Sequence, residues 1–189
     1  MSRSVFVTVG STEFDQLIQT VCSPPIVQTL HRLGFDRINI QYGRGSFIPP
    51  PQGFKVAATG SQESTEQGQS EGVIAIQSYK YKKSLVEDIA SADLIISHAG
   101  AGTCSEVLTQ HRGKPLVVVV NETLHDNHQH ELADQLAEDG HLFRCTPSSL
   151  EQTLLSCLDP WPPQGLELFE PAKPQLFAQW LTEYLGVPT

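Results

Sequence analysis

The sequence contains no apolar run that approaches the roughly 20 residues that a helix needs to cross a bilayer. It is also poor in basic residues, since 12 Lys and Arg stand against 21 Asp and Glu and leave a net charge of −9. A nucleic-acid-binding groove needs clustered Lys and Arg, so this balance argues against one. An acidic net charge is still compatible with the binding of a few phosphate groups through backbone amides.

Cysteine is scarce, and its spacing excludes two further kinds of site. Cys22, Cys104, Cys145 and Cys157 form no C-x-x-C pair, so neither a zinc site nor a disulfide framework is predicted, and a reducing cytosol is expected. The G-x-x-x-x-G-K-[ST] motif of P-loop NTPases does not occur. The first predicted strand is followed by GSTEFD and not by G-x-G-x-x-G, so the dinucleotide-binding fingerprint is missing.

What the sequence does contain is an alternation of apolar runs with helical patterns. Six runs are typical of strands: 4–10, 37–43, 73–79, 93–100, 114–120 and the short 141–145, and KVAA at 55–58 is a further candidate. Helical spacing covers much of the chain between them, although Ser23-Pro24-Pro25 must interrupt the helix predicted for 13–33. The alternation predicts an α/β, Rossmann-like domain of three layers. Its sheet should be mostly parallel, with room for antiparallel strands at the edges.

Two segments depart from this alternation. Residues 44–72 are rich in turn-forming and polar residues and are predicted to be a flexible insertion. Residues 159–189 combine a proline-rich linker with a helix predicted for 174–185. We therefore predict one domain over 1–158, followed by this linker and helix.

Two predicted loops carry the residues of an anion site, because loops and helix N-termini meet at the carboxyl edge of a parallel sheet. In SHAGAGTCSE, Gly100 and Gly102 let the backbone approach a ligand and adopt positive φ. A helix predicted to begin near Thr103 offers free amides and partial positive charge, which suit a diphosphate. Glu106, one turn into it, is placed to accept hydrogen bonds from the hydroxyls of a ribose. The alternative is an ordinary strand–helix turn with a surface glutamate.

The loop VGSTEFD offers similar groups, because its amides and hydroxyls can contact the same phosphates or form a plain helix N-cap. A third loop, LHDNHQHELA, begins a helix with Asp126 or Asn127 as its cap, and polar side chains in the first turn can contact sugar hydroxyls. The three histidines of that loop do not share one helical face, so no metal site is predicted.

These loops and their surroundings resemble glycosyltransferase family 28. VFVTVGSTEFDQLI, QYGRG, SYKYKKSLVEDIASADLIISHAGAGTCSEVL and VVVVNETLHDNHQHELADQL are similar, in this order, to the catalytic subunits of the two-protein UDP-N-acetylglucosamine transferase of eukaryotes. A more distant resemblance is to the C-terminal half of the bacterial transferase that makes lipid II. The resemblance covers residues 4 to about 145. It implies the nucleotide-sugar-binding, C-terminal half of a GT-B glycosyltransferase.

The resemblance also implies roles for individual residues. The diphosphate of UDP would be held by Gly10, Ser11, Thr12, Gly100, Ala101, Gly102 and Thr103. The ribose would contact Glu106, and the GlcNAc would face Glu122, Asp126, Asn127, His128 and Gln129. His98 is a candidate general base by its location, although a structural role fits a histidine at a strand end better.

The activity implied is an inverting transfer of GlcNAc from UDP-GlcNAc to GlcNAc-diphosphate-dolichol, without a metal or other cofactor. This is the second step of lipid-linked oligosaccharide synthesis for protein N-glycosylation. Related transferases have a second, acceptor-binding half. The chain would therefore be inactive alone and would need a membrane-anchored partner subunit, which would also supply the general base. It would be cytoplasmic and peripheral on the cytosolic face of the endoplasmic reticulum.

Several alternatives stay open from the sequence. The basic cluster YKYKKS would lie near the acceptor side, where it faces a lipid-linked diphosphate, membrane headgroups or only solvent. The apolar stripe of the C-terminal helix fits partner docking and packing onto its own domain equally: Leu176, Phe177, Trp180, Leu181 and Leu185. A catalytically silent UDP-sugar-binding protein is an alternative function. An NAD-dependent oxidoreductase is disfavoured, because no acidic residue closes RINIQYG.

Overall fold

The computed structural model describes residues 2–50, 54–56, 72–122 and 127–170. The strands are β1 Arg3–Thr8, β2 Phe35–Gln41, β3 Phe54–Val56, β4 Gly72–Tyr79, β5 Leu94–His98, β6 Leu116–Val119 and β7 Phe143–Cys145. The helices are α1 Asp15–Val21, α2 Pro24–Arg32, α3 Val86–Ser91, α4 Ala101–Gln110, α5 Asn127–Glu138 and α6 Leu150–Leu158. A 3₁₀ turn, Pro147–Ser149, precedes α6.

The strands form a single sheet in the order β3-β4-β2-β1-β5-β6-β7. Neighbouring strands are parallel except at one edge, where β3 pairs antiparallel with β4. The predicted mostly parallel α/β sheet is therefore confirmed, including an antiparallel edge strand. The physical reason is the apolar character of β5 and β6, every residue of which is buried, as strands covered on both faces require.

Helices cover both faces of the sheet and complete the three layers. Alternate residues of β1 point to opposite faces, so Val5 and Val7 join the core under α1, α2 and α6, whereas Phe6 joins the core under α3, α4 and α5. The predicted break between the first two helices is also confirmed, because Pro24 and Pro25 occupy the first positions of α2, where a missing amide proton costs nothing.

The four cysteines are free, and three of them belong to the core. Burial raises the pKa of the Cys22 and Cys104 thiols to about 11 and that of Cys145 to about 12. These three side chains therefore pack as small apolar groups and are not thiolates at physiological pH.

The proline-rich stretch that follows α6 packs against the domain as far as the structure describes it. The Trp161 ring meets the Phe35 ring edge-on with centroids 4.8 Å apart. Further along, Arg112 Nε donates a hydrogen bond of 3.0 Å to the Phe169 carbonyl. The helix predicted for 174–185 lies outside the described residues, as do 51–53 and 57–71 of the insertion predicted for 44–72. Within the described ranges, no helix is long and apolar enough to cross a membrane.

Candidate functional site

The candidate site lies at the carboxyl edge of β1 and β5, where the order of the strands reverses. The chain moves from β1 to β2 on one side of the sheet and later returns to place β5 on the other side. Thr8 pairs with Ser97, so the loops that follow these two strands start side by side. A crevice at such a switch point is where open α/β sheets bind their ligands. The two glycine-containing loops selected from the sequence therefore adjoin each other.

The loop after β1 is a tight turn that uses most of its own hydrogen-bond donors. Gly10 adopts a left-handed φ of +61°, and its amide donates to Thr8 Oγ1 at 3.1 Å. The amide and the hydroxyl of Thr12 both donate to the Val9 carbonyl, at 3.2 and 2.8 Å. The predicted phosphate donors Gly10 and Thr12 are thus engaged within the turn. Ser11, which is exposed, is the residue of this loop best placed to meet a ligand.

The loop after β5 leads directly into α4. This helix begins at Ala101, two residues before the predicted start, with Gly100 as its N-cap. Ala101 and Gly102 are exposed and Thr103 is half-buried in the first turn. The first amides of a helix have no partner within the helix and carry its partial positive charge. The start of α4 therefore presents donors and positive potential at the switch point, as a diphosphate would need.

The predicted positive φ at Gly100 and Gly102 is wrong. Gly100 has φ −82° and ψ 120°, and Gly102 lies within α4. Gly100 is needed for space: a Cβ there would lie 2.6 Å from His98 Cε1. Among the described residues, no atom outside its immediate chain neighbourhood lies within 4 Å of a Cβ built on Gly102. Sequence reasoning assigned both glycines one role, whereas the structure gives them different surroundings.

His98 ends β5 and fills the space between the two loops. A Cβ on Gly10 would also meet this imidazole, at 2.9 Å from Cε1. The side chain is only 9% exposed, and its Nδ1 makes no hydrogen bond to the residues that the structure describes. Burial lowers the pKa of His98, and this outweighs the opposing interaction with the Thr8 backbone. The imidazole is therefore neutral at physiological pH, and it occupies the space beside both glycine backbones.

The ribose and sugar residues of the prediction are only partly described. Glu106 is half-buried on α4, and Glu122 is exposed after β6. Asp126 lies outside the described residues, and Asn127, His128 and Gln129 open α5 with only their backbone described. His98 pairs with Val119, so the loop after β6 starts beside the loop after β5. In the described ranges, no three His, Cys, Asp or Glu side chains are grouped as a metal site would require.

The basic cluster at 79–84 divides into a structural part and an exposed part. Asp88, 7% exposed, accepts hydrogen bonds from Tyr79 Oη at 2.6 Å and from Lys82 Nζ at 2.8 and 2.9 Å. Burial, and then Asp88, raise the pKa of the Tyr79 phenol. Lys82 is therefore part of a network that ties α3 to β4, whereas Lys80 and Lys83 are exposed.

Two buried residues of the site were missed by sequence reasoning. Thr8 Oγ1 donates to Gln41 Oε1 at 2.6 Å, and the Gln41 amide bonds to the loops that follow β1 and β4. The signal available in the sequence was a glutamine at the end of the predicted strand RINIQ. If such a side chain is buried, its amide needs several hydrogen-bond partners. Local periodicity cannot say which partners these are.

Comparisons with known proteins agree with this architecture. The model of the glycosyltransferase family 28 C-terminal domain matches residues 4–164. The chain belongs to glycosyltransferase family 28. It is 49% identical over 144 residues to the human protein named UDP-N-acetylglucosamine transferase subunit ALG13, a match that covers 76% of this chain and 11% of that protein. The chain thus spans about a tenth of the length of that family-28 relative.

Two solved structures share the fold. An NMR solution structure of ALG13 superposes with a TM-score of 0.58 at 26% identity, over 96% of both chains. The crystal structure of MurG from Acinetobacter baumannii superposes with a TM-score of 0.54 at 21% identity, over 98% of this chain and 43% of that one. The second likeness concerns the fold alone. The fold of this chain therefore corresponds to less than half of that longer chain.

Proposed function

We propose that this chain is the donor-binding catalytic subunit of N-acetylglucosaminyldiphosphodolichol N-acetylglucosaminyltransferase. It transfers GlcNAc from UDP-GlcNAc to GlcNAc-diphosphate-dolichol. The observation that carries the proposal is the exposed N-terminus of α4 beside the turn after β1, at the switch point of a family-28 domain. The name of the human relative, UDP-N-acetylglucosamine transferase subunit, supports the choice of donor.

The proposed donor spans the carboxyl edge from β1 to β6. Its diphosphate meets Ser11 and the amides of Ala101, Gly102 and Thr103, whereas Gly10, Thr12 and Gly100 shape the loops around it. Its ribose hydroxyls donate to Glu106 on the next turn of α4. Its GlcNAc faces the third loop, with Glu122, Asp126, Asn127, His128 and Gln129 as the contacting residues.

In the proposed reaction, O4 of the acceptor GlcNAc attacks the anomeric carbon of the donor from the face opposite UDP. The bond from that carbon to the diphosphate oxygen breaks, and the configuration inverts. Negative charge then accumulates on the diphosphate, where the preorganised amides and the positive end of α4 stabilise it. We assign this role to those groups and not to a metal ion. The hydroxyl proton passes to a general base on the partner, because His98 is enclosed by Gly10 and Gly100.

The partner in this proposal is a membrane-anchored subunit of the asparagine-linked glycosylation protein fourteen type, which binds the acceptor. It would hold the chain on the cytosolic face of the endoplasmic reticulum. The word "subunit" in the name of the human relative supports a partner.

The test is a transfer assay with labelled UDP-GlcNAc and a GlcNAc-diphosphate-lipid acceptor. The chain is assayed alone and after mixing with membranes that contain the partner, and turnover is expected only in the mixture. Glu106→Ala should lower turnover at subsaturating donor by tenfold or more, because a hydrogen bond to a charged group contributes about 1.5–3 kcal/mol. The control is Glu138→Ala, an exposed glutamate in the last turn of α5, which should change nothing.

Two outcomes would contradict the proposal in different ways. Full activity of Glu106→Ala would remove the ribose assignment. Saturable UDP binding without turnover in the mixture would favour the second candidate function, a catalytically silent UDP-sugar-binding protein. The same site geometry serves both functions, so only turnover separates them.

A further inference from the structure

Three strand ends meet at the side chain of Gln41. This residue closes β2, pairs with Thr8 of β1 on one side and with Tyr79 of β4 on the other, and is 2% exposed. Its Nε2 donates to the Gly10 carbonyl at 2.6 Å and to the Lys80 carbonyl at 2.8 Å. Its Oε1 accepts the Thr8 hydroxyl at 2.6 Å.

The orientation of this amide is determined by its partners. Backbone carbonyls only accept hydrogen bonds, so the nitrogen must face Gly10 and Lys80 and the oxygen must face the Thr8 hydroxyl. Both amide protons are used, and one lone pair of the oxygen accepts a hydroxyl. A buried amide with these bonds is rigid, because every alternative orientation would leave polar atoms unsatisfied.

Gln41 therefore determines the position of the turn after β1. The Gly10 carbonyl is held by Nε2, and the Gly10 amide is held by Thr8 Oγ1, which itself donates to Gln41. Both polar groups of the Gly10 backbone thus depend on one pair of side chains. The next residue is Ser11, which carries the donors assigned to the diphosphate, and the face of Gly10 that lacks a Cβ lies against His98.

The same nitrogen also holds the start of the exposed basic segment. Because the Gly10 and Lys80 carbonyls both accept from one atom, the turn after β1 and the segment that contains Lys80 and Lys83 are joined at a single point. Both loops therefore depend on the position of this one amide.

We propose that Gln41 is a positioning residue of the donor site, which places the turn after β1 for the diphosphate and keeps the basic segment beside it. The proposal rests on the proposed function, since it takes the diphosphate of UDP as the ligand of that turn. Gln41 does not touch the ligand. It acts through Gly10 and Ser11, in the same way that a buried amide fixes any loop whose carbonyls it satisfies.

The experiment measures UDP affinity of the full chain by calorimetry, at a temperature where every variant is folded. Gln41→Glu keeps the size of the side chain and the acceptor for Thr8, but it replaces the nitrogen that donates to two carbonyls. We expect UDP affinity to fall about tenfold. The matched control is Gln77→Glu, the same change at an exposed position of β4, which should stay within twofold of the wild type.

A second pair of variants separates positioning from a loss of stability. Thr8→Val removes the hydroxyl that bonds to Gln41 and to the Gly10 amide, and we expect about fivefold weaker UDP binding. Thr29→Val removes a buried hydroxyl of α2 that bonds to Glu151 at 3.4 Å, away from the site, and should leave UDP affinity unchanged. If Gln41 had a purely structural role, each folded site variant, Gln41→Glu or Thr8→Val, would bind UDP with the same affinity as its control variant.

The outcomes distinguish a failure of the proposed function from a failure of the role assigned to Gln41. If the wild type does not bind UDP, the proposed function fails and the role of Gln41 fails with it. If the wild type binds UDP and folded Gln41→Glu binds it within twofold, only the Gln41 proposal is overturned. If Gln41→Glu does not fold, Thr8→Val decides in its place by the same twofold criterion.

Discussion

At the scale of single residues, the two glycines at the start of α4 differ in what surrounds them. Gly100 faces the imidazole of His98, whereas a Cβ on Gly102 would meet no atom of the described residues beyond its own stretch of helix. The sequence places both in one motif, G-x-G, and nothing in the local pattern separates them. The distinction comes from His98. The Gly100 amide donates a hydrogen bond of 2.8 Å to the His98 carbonyl, and this tight turn brings Gly100 close to the His98 ring.

Alanine at these two positions should therefore have different effects on stability. Gly100→Ala should lower the free energy of unfolding by about 1–3 kcal/mol, because its methyl group would overlap the His98 ring. Gly102→Ala should leave it unchanged or raise it by up to about 1 kcal/mol, because alanine favours the helix. Urea unfolding of both variants provides the measurement. Equal destabilisation by the two changes would show that the ring is not what excludes a side chain at Gly100.

At the scale of secondary-structure elements, a buried carboxylate fastens the short helix α3 to the sheet. Asp88 of α3 accepts hydrogen bonds from Asn39 of β2 at 2.8 Å and from Tyr79 of β4 at 2.6 Å, and Lys82 balances its charge at 2.8 Å. In this six-residue helix the buried residues are Asp88 and Ile89, so the polar contacts of Asp88 are a large part of what holds α3 in place. Part of the basic cluster thus has a structural role that its composition alone does not reveal.

Removing one hydroxyl tests this attachment. Tyr79→Phe should lower the free energy of unfolding by about 1–2 kcal/mol, because it leaves a buried carboxylate with one donor fewer. The matched control is Tyr81→Phe, two residues further along, where the ring is 49% exposed. That control should stay within about 0.5 kcal/mol of the wild type. A comparable loss in both variants would assign the effect to the ring environment and not to the bond with Asp88.

At the scale of the whole molecule, the order of the strands creates the site. β1 lies between β2 and β5, so the loops from the first and the second half of the chain meet at one crevice. A ligand bound there contacts both halves and therefore stabilises the folded state as a unit.

Thermal unfolding with ligands tests this consequence. UDP at about 100 times its dissociation constant should add about 2.7 kcal/mol to the free energy of unfolding. For a chain of this size, that corresponds to a rise in Tm of about 5–10 °C. NAD, the ligand of the disfavoured oxidoreductase, should leave Tm unchanged. A rise with NAD and none with UDP would reverse the choice between the two ligand classes.

The class of fold and the loops that carry the candidate site follow from local features of the sequence. Apolar periodicity and the buried character of β5 and β6 are local properties, and they suffice for an α/β domain with a mostly parallel sheet. Prolines at 24 and 25 likewise set the start of α2 through their own covalent structure. The motifs that resemble the family are also contiguous stretches of sequence, so they can be identified without knowing the fold.

How those loops are held depends on contacts between distant parts of the chain. The contacts of Gln41 join residues 31 to 39 positions apart, and they exist because β2 pairs with both β1 and β4. The hydroxyl of Thr12 could serve a phosphate or its own turn, and the folded chain uses it for the turn. A hydrogen bond depends on which groups lie within about 3 Å of each other, and strand order, which local patterns do not encode, determines that.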